Sequence, residues 1–396
     1  MAMTSSPPPA SAVEANRFGI AALQAGDAEA ATRHFTAAIA GDPQSGALQR
    51  NLASAWRALG DDARELAALD AALAIDRRDL IAWIRKAERH EAQGDKGAAL
   101  AAWSAAVALG AQLGPAPPAL QPLLAHGQAF VIGATDAMFA AASDAFGSIR
   151  DDLSETEARR GEAFIASALG RRRIYQNECA GIYYPFLPAD EFFDRGHFPW
   201  LAEIEAQTGA IRAELQALLG DPGEALRPYV RMEAGTPDSI WSGLDNQLDW
   251  GACFLWEYGE PNQLVLDRCP ATAAALAAIP GARIPGRAPS AFFSMLKPHT
   301  RIPPHTGVTN TRAIVHLPLI VPPNCGFRVG GETRIWEEGR AFVFDDTIEH
   351  EAWNDSDDLR AVLIFDVWNP HLSARERDLL LRYFASADAS GYAVPR

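Results

Sequence analysis

The sequence predicts an α+β protein in two parts: an all-helical N-terminal region and a C-terminal region of antiparallel strands with flanking helices. Three observations lead to this prediction. A repeat of fixed length runs through residues 14–110. After the basic run Arg171–Arg173, Pro, Gly and aromatic residues become more frequent. Short β-type segments then alternate with Gly- and Pro-containing turns, which is typical of a sandwich or barrel.

Composition and charge exclude several functional classes. The chain has 396 residues, 48% of them hydrophobic and 21% charged, which fits two or three globular domains rather than a disordered chain. The formal net charge is −15. We therefore expect no general nucleic-acid binding, which needs clustered positive charge, and no polybasic membrane surface.

Cysteine usage and the apolar segments indicate a cytoplasmic protein. The first fifteen residues lack a basic region and a continuous apolar run, so no signal peptide is expected. The uncharged stretch 97–125 is rich in Ala and interrupted by prolines, so no stable membrane insertion is expected. Four widely spaced cysteines form no C-x-x-C motif, which favours a reduced compartment over a disulfide framework; they are Cys179, Cys253, Cys269 and Cys325.

The N-terminal repeat is 34 residues long. Gly-Asp pairs recur at 26, 60 and 94, and several apolar columns keep the same phase. The period and the Gly-Asp turn resemble the tetratricopeptide repeat, in which each unit is a pair of helices. We expect three repeats over 14–110, forming a short solenoid that recruits a peptide or protein substrate. The alternative is a generic helical bundle. One column contains the large residues Phe35, Leu69 and Trp103.

The rest of the chain divides into a connecting region and a β-rich domain. Residues 111–125 are Pro-rich and read as a linker, and 126–170 read as helical, so 111–170 is predicted to be a linker and helical neck. The domain at 171–390 should contain a helix near 199–219, a C-terminal helix near 374–386 and seven strands. These strands are predicted at 252–258, 291–296, 312–321, 326–329, 333–336, 341–344 and 360–368.

Two histidines in the β-rich domain form the candidate site. His305 is expected just before a strand, and His350 follows 45 residues later, after a strand and the turn Asp345-Asp346. Imidazole nitrogen suits iron, zinc or copper, and Arg360 at the start of the next strand suits a carboxylate ligand. This is the pattern of an Fe(II) oxygenase that uses 2-oxoglutarate, except that Gly307 stands where the usual third ligand, a carboxylate, is expected. Spacing alone leaves a damaged site and a two-histidine site equally open.

The flanking residues resemble the aspartyl/asparaginyl β-hydroxylase family. The segments PHTGVTN, FDDTIEHEAWN and R-x-x-x-x-FDVWNP, which begins at Arg360, carry the resemblance, which covers roughly 170–375. The family's vertebrate enzyme also has glycine at the carboxylate position and completes its iron shell with water. The resemblance therefore makes Gly307 an expected feature, implies a double-stranded β-helix of the jelly-roll or cupin type, and makes His305 and His350 the iron ligands. Asp345 or Asp346 would then be turn residues or would orient His350 or the water.

The same resemblance implies the remaining site residues. Arg360 would bind the distal carboxylate of 2-oxoglutarate beside Ser294, and His316 would lie near the cosubstrate's iron-chelating end. Arg312 matches a basic position near the substrate carboxylate. The family enzyme has a second arginine two residues further on, where this chain has Ile314. This departure weakens the expectation of an aspartyl-type substrate more than that of iron or cosubstrate binding.

The expected function is hydroxylation of an unactivated C–H bond with Fe(II), 2-oxoglutarate and O2. The expected substrate is the β-carbon of an Asp- or Asn-type residue in a peptide or protein. One alternative is a hydroxylase of a lipid acyl chain or a small molecule. The other is a non-catalytic interaction protein of the tetratricopeptide type with an oxygenase-like domain.

Overall fold

The chain forms two compact units, Met1–Ser154 and Glu155–Arg396. Their structure is a computed structural model that describes residues 10–112 and 117–390. The expectation about a signal peptide falls partly outside these residues, as do positions 113–116 of the expected linker. The finer domain limits expected from the sequence remain predictions.

The first unit is helical. Its helices follow one another in sequence and contact their chain neighbours, as the three expected pairs would. They are α1 (Ala10–Gln24), α2 (Ala28–Gly41), α3 (Gly46–Leu59), α4 (Asp62–Ile75), α5 (Leu80–Ala92), α6 (Lys96–Gln112) and α7 (Gln121–Gly147).

The Gly-Asp pairs form the turn inside each helix pair. The three glycines have φ values between +73° and +80°, a backbone region that other residues rarely adopt. The aspartate that follows caps the second helix, as where Asp27 accepts a hydrogen bond of 2.8 Å from the N–H of Ala30. The large-residue column of the repeat, Phe35, Leu69 and Trp103, is fully buried in the unit.

Helix α7 bears on the membrane question. Its 27 residues have a mean hydropathy of 1.3 in their most apolar window, which is long and apolar enough to cross a membrane, and none of that window is buried. Length and composition alone are weak evidence for a span. The uncharged stretch 97–125 mostly precedes this helix, and the absence of stable membrane insertion remains a prediction.

The second unit contains two antiparallel sheets. One has the strand order β1-β2-β4-β11-β6-β9, with β3 on β2, and the other has the order β5-β10-β7-β8. Its helices are α8 (Glu155–Ala168), α9 (Leu201–Glu205), α10 (Thr208–Gly220), α11 (Gln263–Leu266), α12 (Pro270–Ala278) and α13 (Ala374–Ala389). Its strands are β1 (Arg227–Pro228), β2 (Trp250–Glu257), β3 (Glu260–Pro261), β4 (Ala291–Leu296), β5 (Thr300–His305), β6 (Arg312–Ile320), β7 (Cys325–Val329), β8 (Glu332–Arg334), β9 (Phe342–Phe344), β10 (His350–Asn354) and β11 (Arg360–Trp368).

Period-two alternation divides this unit into two cores. On β6, Ala313, Val315 and Leu317 belong to the core that includes residues of helices α9 and α10. The alternate residues Ile314 and His316 face the other way, into the space between the two sheets. The larger sheet is therefore covered on one face by helices and lines a cavity with the other.

Three sequence expectations about this unit were wrong in detail. The strand expected at 333–336 ends at Arg334, so Trp336 lies in a loop. His305 does not precede a strand but ends one, β5, and β10 was missed altogether. Pro303 and Pro304 disguised β5, because proline cannot donate to a strand ladder and normally demotes a strand assignment. Strand β5 is an edge strand that pairs only with β10, and such a position tolerates proline.

Candidate active site

His305 and His350 meet at the ends of two paired strands. They are direct partners in the register of β5 and β10, and their ring centroids lie 4.1 Å apart. Each ring has its Nδ1 within hydrogen-bonding distance of a backbone carbonyl two residues earlier, at 2.8 Å from Pro303 and 3.0 Å from Ile348. A neutral imidazole that donates from Nδ1 keeps the lone pair of Nε2 available for a metal ion.

The surroundings of both histidines favour the neutral form. Burial lowers the pKa of His305. Burial, together with the neighbouring His305, holds the pKa of His350 well below its usual range. Because metal binding requires the unprotonated ring, the pair is prepared for a metal at neutral pH.

Gly307 leaves room for a carboxylate from another strand connection. A side chain built at Gly307 would overlap the carboxylate of Asp346, and the N–H of Gly307 donates a 2.6 Å hydrogen bond to the carbonyl of Asp346. Burial and the adjacent Asp345 raise the pKa of Asp346 to about 7. Asp345 itself accepts hydrogen bonds from the N–H and hydroxyl of Thr347 and thus forms the turn. The two neighbouring aspartates therefore have different environments.

One end of the cavity, which we call the Arg360 end, is lined by Arg360, His316 and Ser294. Arg360 is 1% exposed, and its Nε and Nη2 find no hydrogen-bond partner among the described residues. Burial lowers its pKa to about 9. Buried polar groups are normally hydrogen-bonded, so a guanidinium left in this state indicates a ligand with acceptor atoms. Ser294 accepts a 3.1 Å hydrogen bond from the indole N–H of Trp250.

The other end, which we call the Arg312 end, is lined by Arg312, Ile314 and Asp366. Arg312 forms an ion pair of 2.5 Å with Asp366, whose side chain is 2% exposed, and donates to the carbonyl of Arg287 at 3.1 Å. Strands β6 and β11 place the two charged residues near each other, since Asp366 pairs with Ile314 in the register. Arg312 therefore already has a carboxylate partner within the chain.

Aromatic side chains that sequence reasoning missed form a wall of the cavity. The ring of Trp241 lies 4.9 Å from that of His305, and Tyr229 stacks on Trp250 at 3.9 Å. Phe254 and Phe292 continue this wall as a stacked pair 4.8 Å apart. Trp241 and Tyr229 come from the irregular segment around β1, which has no periodicity that would reveal them. The alternation of β2 and β4 was the one signal for Phe254 and Phe292.

The cavity that joins these groups has a volume of about 370 Å³ and also receives His305, His350 and Asp346. Within residues 10–112 and 117–390, no group of three His, Cys, Asp or Glu side chains is arranged to hold a metal. His305 and His350 are the two imidazole donors that this cavity offers to a metal ion. Of the six predicted site residues, the structure places all six on this one cavity.

Two paired histidines and a buried arginine whose Nε and Nη2 have no acceptor among the described residues thus line one cavity between two antiparallel sheets, and the comparisons with known proteins point to one family. Residues 205–370 match the sequence model of the family described as aspartyl/asparaginyl β-hydroxylase. This part of the chain is thus similar to the aspartyl/asparaginyl β-hydroxylase family.

Named relatives cover different shares of the chain. An ornithine lipid ester-linked acyl 2-hydroxylase of Rhizobium tropici is 35% identical over 196 residues, which are 49% of this chain and 66% of that protein. The aspartyl/asparaginyl β-hydroxylase of Mus musculus is 39% identical over 131 residues, 33% of this chain and 17% of that protein. The chain therefore spans less than two thirds of the length of these relatives.

The helical unit resembles tetratricopeptide-repeat proteins. The TPR2B domain of yeast Sti1, solved as a complex with pHsp70, matches 30% of this chain and 98% of its own at 24% identity, with a TM-score of 0.28. PcrH from Pseudomonas aeruginosa matches 34% of this chain and 99% of its own at 24% identity, with a TM-score of 0.29. Because these scores are low, the likeness carries no argument about partners.

Proposed function

We propose that the protein is an Fe(II)- and 2-oxoglutarate-dependent dioxygenase that hydroxylates an unactivated C–H bond. The observation that carries the proposal is one cavity lined by two histidines, each anchored through Nδ1 to a backbone carbonyl, and by a buried guanidinium whose Nε and Nη2 have no acceptor among the described residues. The paired sheets would then be a double-stranded β-helix. Fe(II) bound with 2-oxoglutarate and O2 would supply the oxidising chemistry.

The residues have separate tasks in this proposal. His305 and His350 hold the metal through Nε2, and the carbonyls of Pro303 and Ile348 fix their rings. Asp346, beside Gly307, supports a water ligand of the metal in place of a third protein ligand. Arg360 and Ser294 bind the distal carboxylate of the cosubstrate, and His316 lies beside them. The aromatic wall excludes water from the reacting carbon.

The direct test is succinate formation from 2-oxoglutarate by the purified full chain, with and without added Fe(II). The proposal predicts slow Fe(II)-dependent succinate release even without substrate. The matched control is His371→Ala, because His371 pairs with Asp190 and lies outside the cavity lining. If Fe(II) leaves succinate release unchanged, the non-catalytic alternative stands instead.

The substrate expected from the sequence is an Asp- or Asn-type residue in a peptide or protein, which the helical unit would recruit. The residues at the Arg312 end favour a second proposed substrate class. Arg312 is committed to Asp366, Ile314 replaces the second basic residue, and the wall is aromatic, so a neutral carbon chain fits the Arg312 end as well. The similarity to an acyl 2-hydroxylase supports the same alternative.

A mass increase of 16 Da, the mass of one oxygen atom, distinguishes the substrate classes. Cell extract would be separated into peptide, lipid and small-molecule fractions, and each incubated with wild-type protein or with His350→Ala as the inactive control. Hydroxylated peptide supports the first substrate class, and hydroxylated acyl chains support the second. We further propose a cytoplasmic location; among the described residues all four cysteines are free thiols.

A further inference from the structure

Trp336 is buried although it comes from an exposed loop. The loop 335–341 connects β8 to β9, and its first residue, Ile335, is 80% exposed, whereas Trp336 is 4% exposed. An apolar side chain of this size would leave the loop for the core in any case. The contacts that it makes there show more than apolar packing.

The indole ring lies against the guanidinium of Arg360. The Cζ atom of Arg360 is 4.3 Å from the centroid of the Trp336 ring, which is within the range of a cation–π interaction. Phe327 stacks behind the same ring at 5.8 Å, and His316 meets it edge-on at 6.0 Å. Trp336 is therefore held in place from two sides while its face supports the cation.

This contact answers an electrostatic problem. Arg360 is 1% exposed, and its Nε and Nη2 have no hydrogen-bond acceptor in the described part of the chain. Burying a cation is costly unless nearby groups compensate it. The π face of tryptophan is the strongest aromatic site for a cation, and its effect grows when both groups are desolvated.

We propose that Trp336 is a positioning residue that holds the Arg360 guanidinium ready for the distal carboxylate of 2-oxoglutarate. The inference rests on the proposed cosubstrate site. Because a cation–π contact holds the guanidinium without using its N–H groups, Nε and Nη2 stay available to a carboxylate. Trp336 itself does not line the cavity and acts only through Arg360.

Two ligands separate this role from simple packing. 2-Oxopentanoate has the same keto acid and chain length as 2-oxoglutarate but ends in a methyl group instead of the distal carboxylate. The affinity of each ligand would be measured by anaerobic calorimetry on the full chain loaded with Mn(II), so that no turnover is needed. The variants are Trp336→Tyr, Trp336→Phe and Trp336→Leu. Trp353→Phe is the control, because the Trp353 ring also contacts an arginine, the exposed Arg301 at 5.8 Å, and does not line the cavity.

The affinity for 2-oxoglutarate should be reduced least in Trp336→Tyr, more in Trp336→Phe and most in Trp336→Leu. For Trp336→Leu the expected reduction is about tenfold. The Trp336 variants should bind 2-oxopentanoate with the wild-type affinity. The control variant should bind both ligands as wild type does. In turnover with Fe(II), the KM for 2-oxoglutarate should rise while kcat is retained. Because Tyr and Phe keep the ring that fills the core, they carry the test even if Trp336→Leu does not fold.

The results separate the two proposals. If all folded variants bind 2-oxoglutarate as wild type does, or if both ligands weaken equally, the positioning role of Trp336 is wrong and the residue only fills the core. If wild type itself binds the two ligands equally, the proposed distal-carboxylate site at Arg360 is wrong.

Discussion

The two ends of the cavity each hold an arginine, buried in the case of Arg360 and partly buried in the case of Arg312, and the two guanidinium groups are compensated in different ways. Arg312 has a carboxylate partner built into the chain, because Asp366 lies on the neighbouring strand. Arg360 has an indole face and, in the described residues, no acceptor for Nε and Nη2. A completed ion pair stabilises the fold, whereas an incomplete one indicates where a ligand of opposite charge binds.

The largest effect is expected at the pair of proposed metal ligands, His305 and His350, which lies between these ends. His305→Ala or His350→Ala removes one of two protein ligands, so Fe(II)-dependent succinate release should fall to background. Loss of metal from the folded protein should be visible by metal analysis after gel filtration. A variant at either histidine that keeps wild-type metal content and activity would remove the pair from the site.

The comparison predicts that Arg312 acts mainly on stability. Arg312→Ala leaves the carboxylate of Asp366 buried without its cation, which should lower the free energy of unfolding by about 3 kcal/mol. Urea denaturation measures this loss. The double variant Arg312→Leu/Asp366→Leu removes both charges and should recover most of the stability. A single variant as stable as wild type would show that the ion pair is not structural.

Arg360 should behave in the opposite way. Arg360→Leu removes a cation that the chain does not pair, so the free energy of unfolding should be unchanged or increased. The KM for 2-oxoglutarate should rise by about a hundredfold, since a charge-assisted contact to the distal carboxylate is lost. Steady-state kinetics test this, with Arg301→Leu on the exposed edge strand as control. An unchanged KM together with lower stability would reverse the comparison.

A smaller effect is expected at Gly307 and Asp346, where the third, carboxylate ligand of the usual site would lie. Asp346→Asn should weaken Fe(II) binding by about tenfold, as loss of outer-sphere partners does at other metal sites.

Gly307→Asp alone should fold poorly, because its side chain would overlap Asp346. Combining Gly307→Asp with Asp346→Gly provides the space and should restore metal binding, which calorimetry with Mn(II) can measure. Equal behaviour of the single and double variants would show that the two positions do not share one space.

Much of the fold could be predicted because it depends on local patterns. The Gly-Asp period marks turns that need a positive φ and a capping side chain, and both requirements are local. Strands β4 and β11 were predicted with their observed limits, because each consists mostly of apolar residues. Strand β5 could not be, since its prolines are tolerated only at the sheet edge and edge position is a property of the whole sheet.

The site was predictable to the extent that motifs carry it. His305, His350 and Arg360 stand in motifs, and the structure brings them to one cavity. The partner of Arg312 and the support of Arg360 by Trp336 depend on strand register and on how a loop folds inward, which no spacing in the sequence reveals. The same holds for the two neighbouring aspartates. The turn directs Asp345 to the N–H of Thr347 and places the carboxylate of Asp346 beside Gly307.

The central claim is that one cavity binds Fe(II) through two histidines and 2-oxoglutarate through Arg360. The most direct measurement is the visible charge-transfer band of the anaerobic protein with Fe(II), titrated with 2-oxoglutarate. The account predicts a band in wild type, none in His350→Ala, and a band in Arg360→Leu that appears only at much higher 2-oxoglutarate. A wild-type protein that binds Fe(II) and shows no band at saturating 2-oxoglutarate would contradict the account.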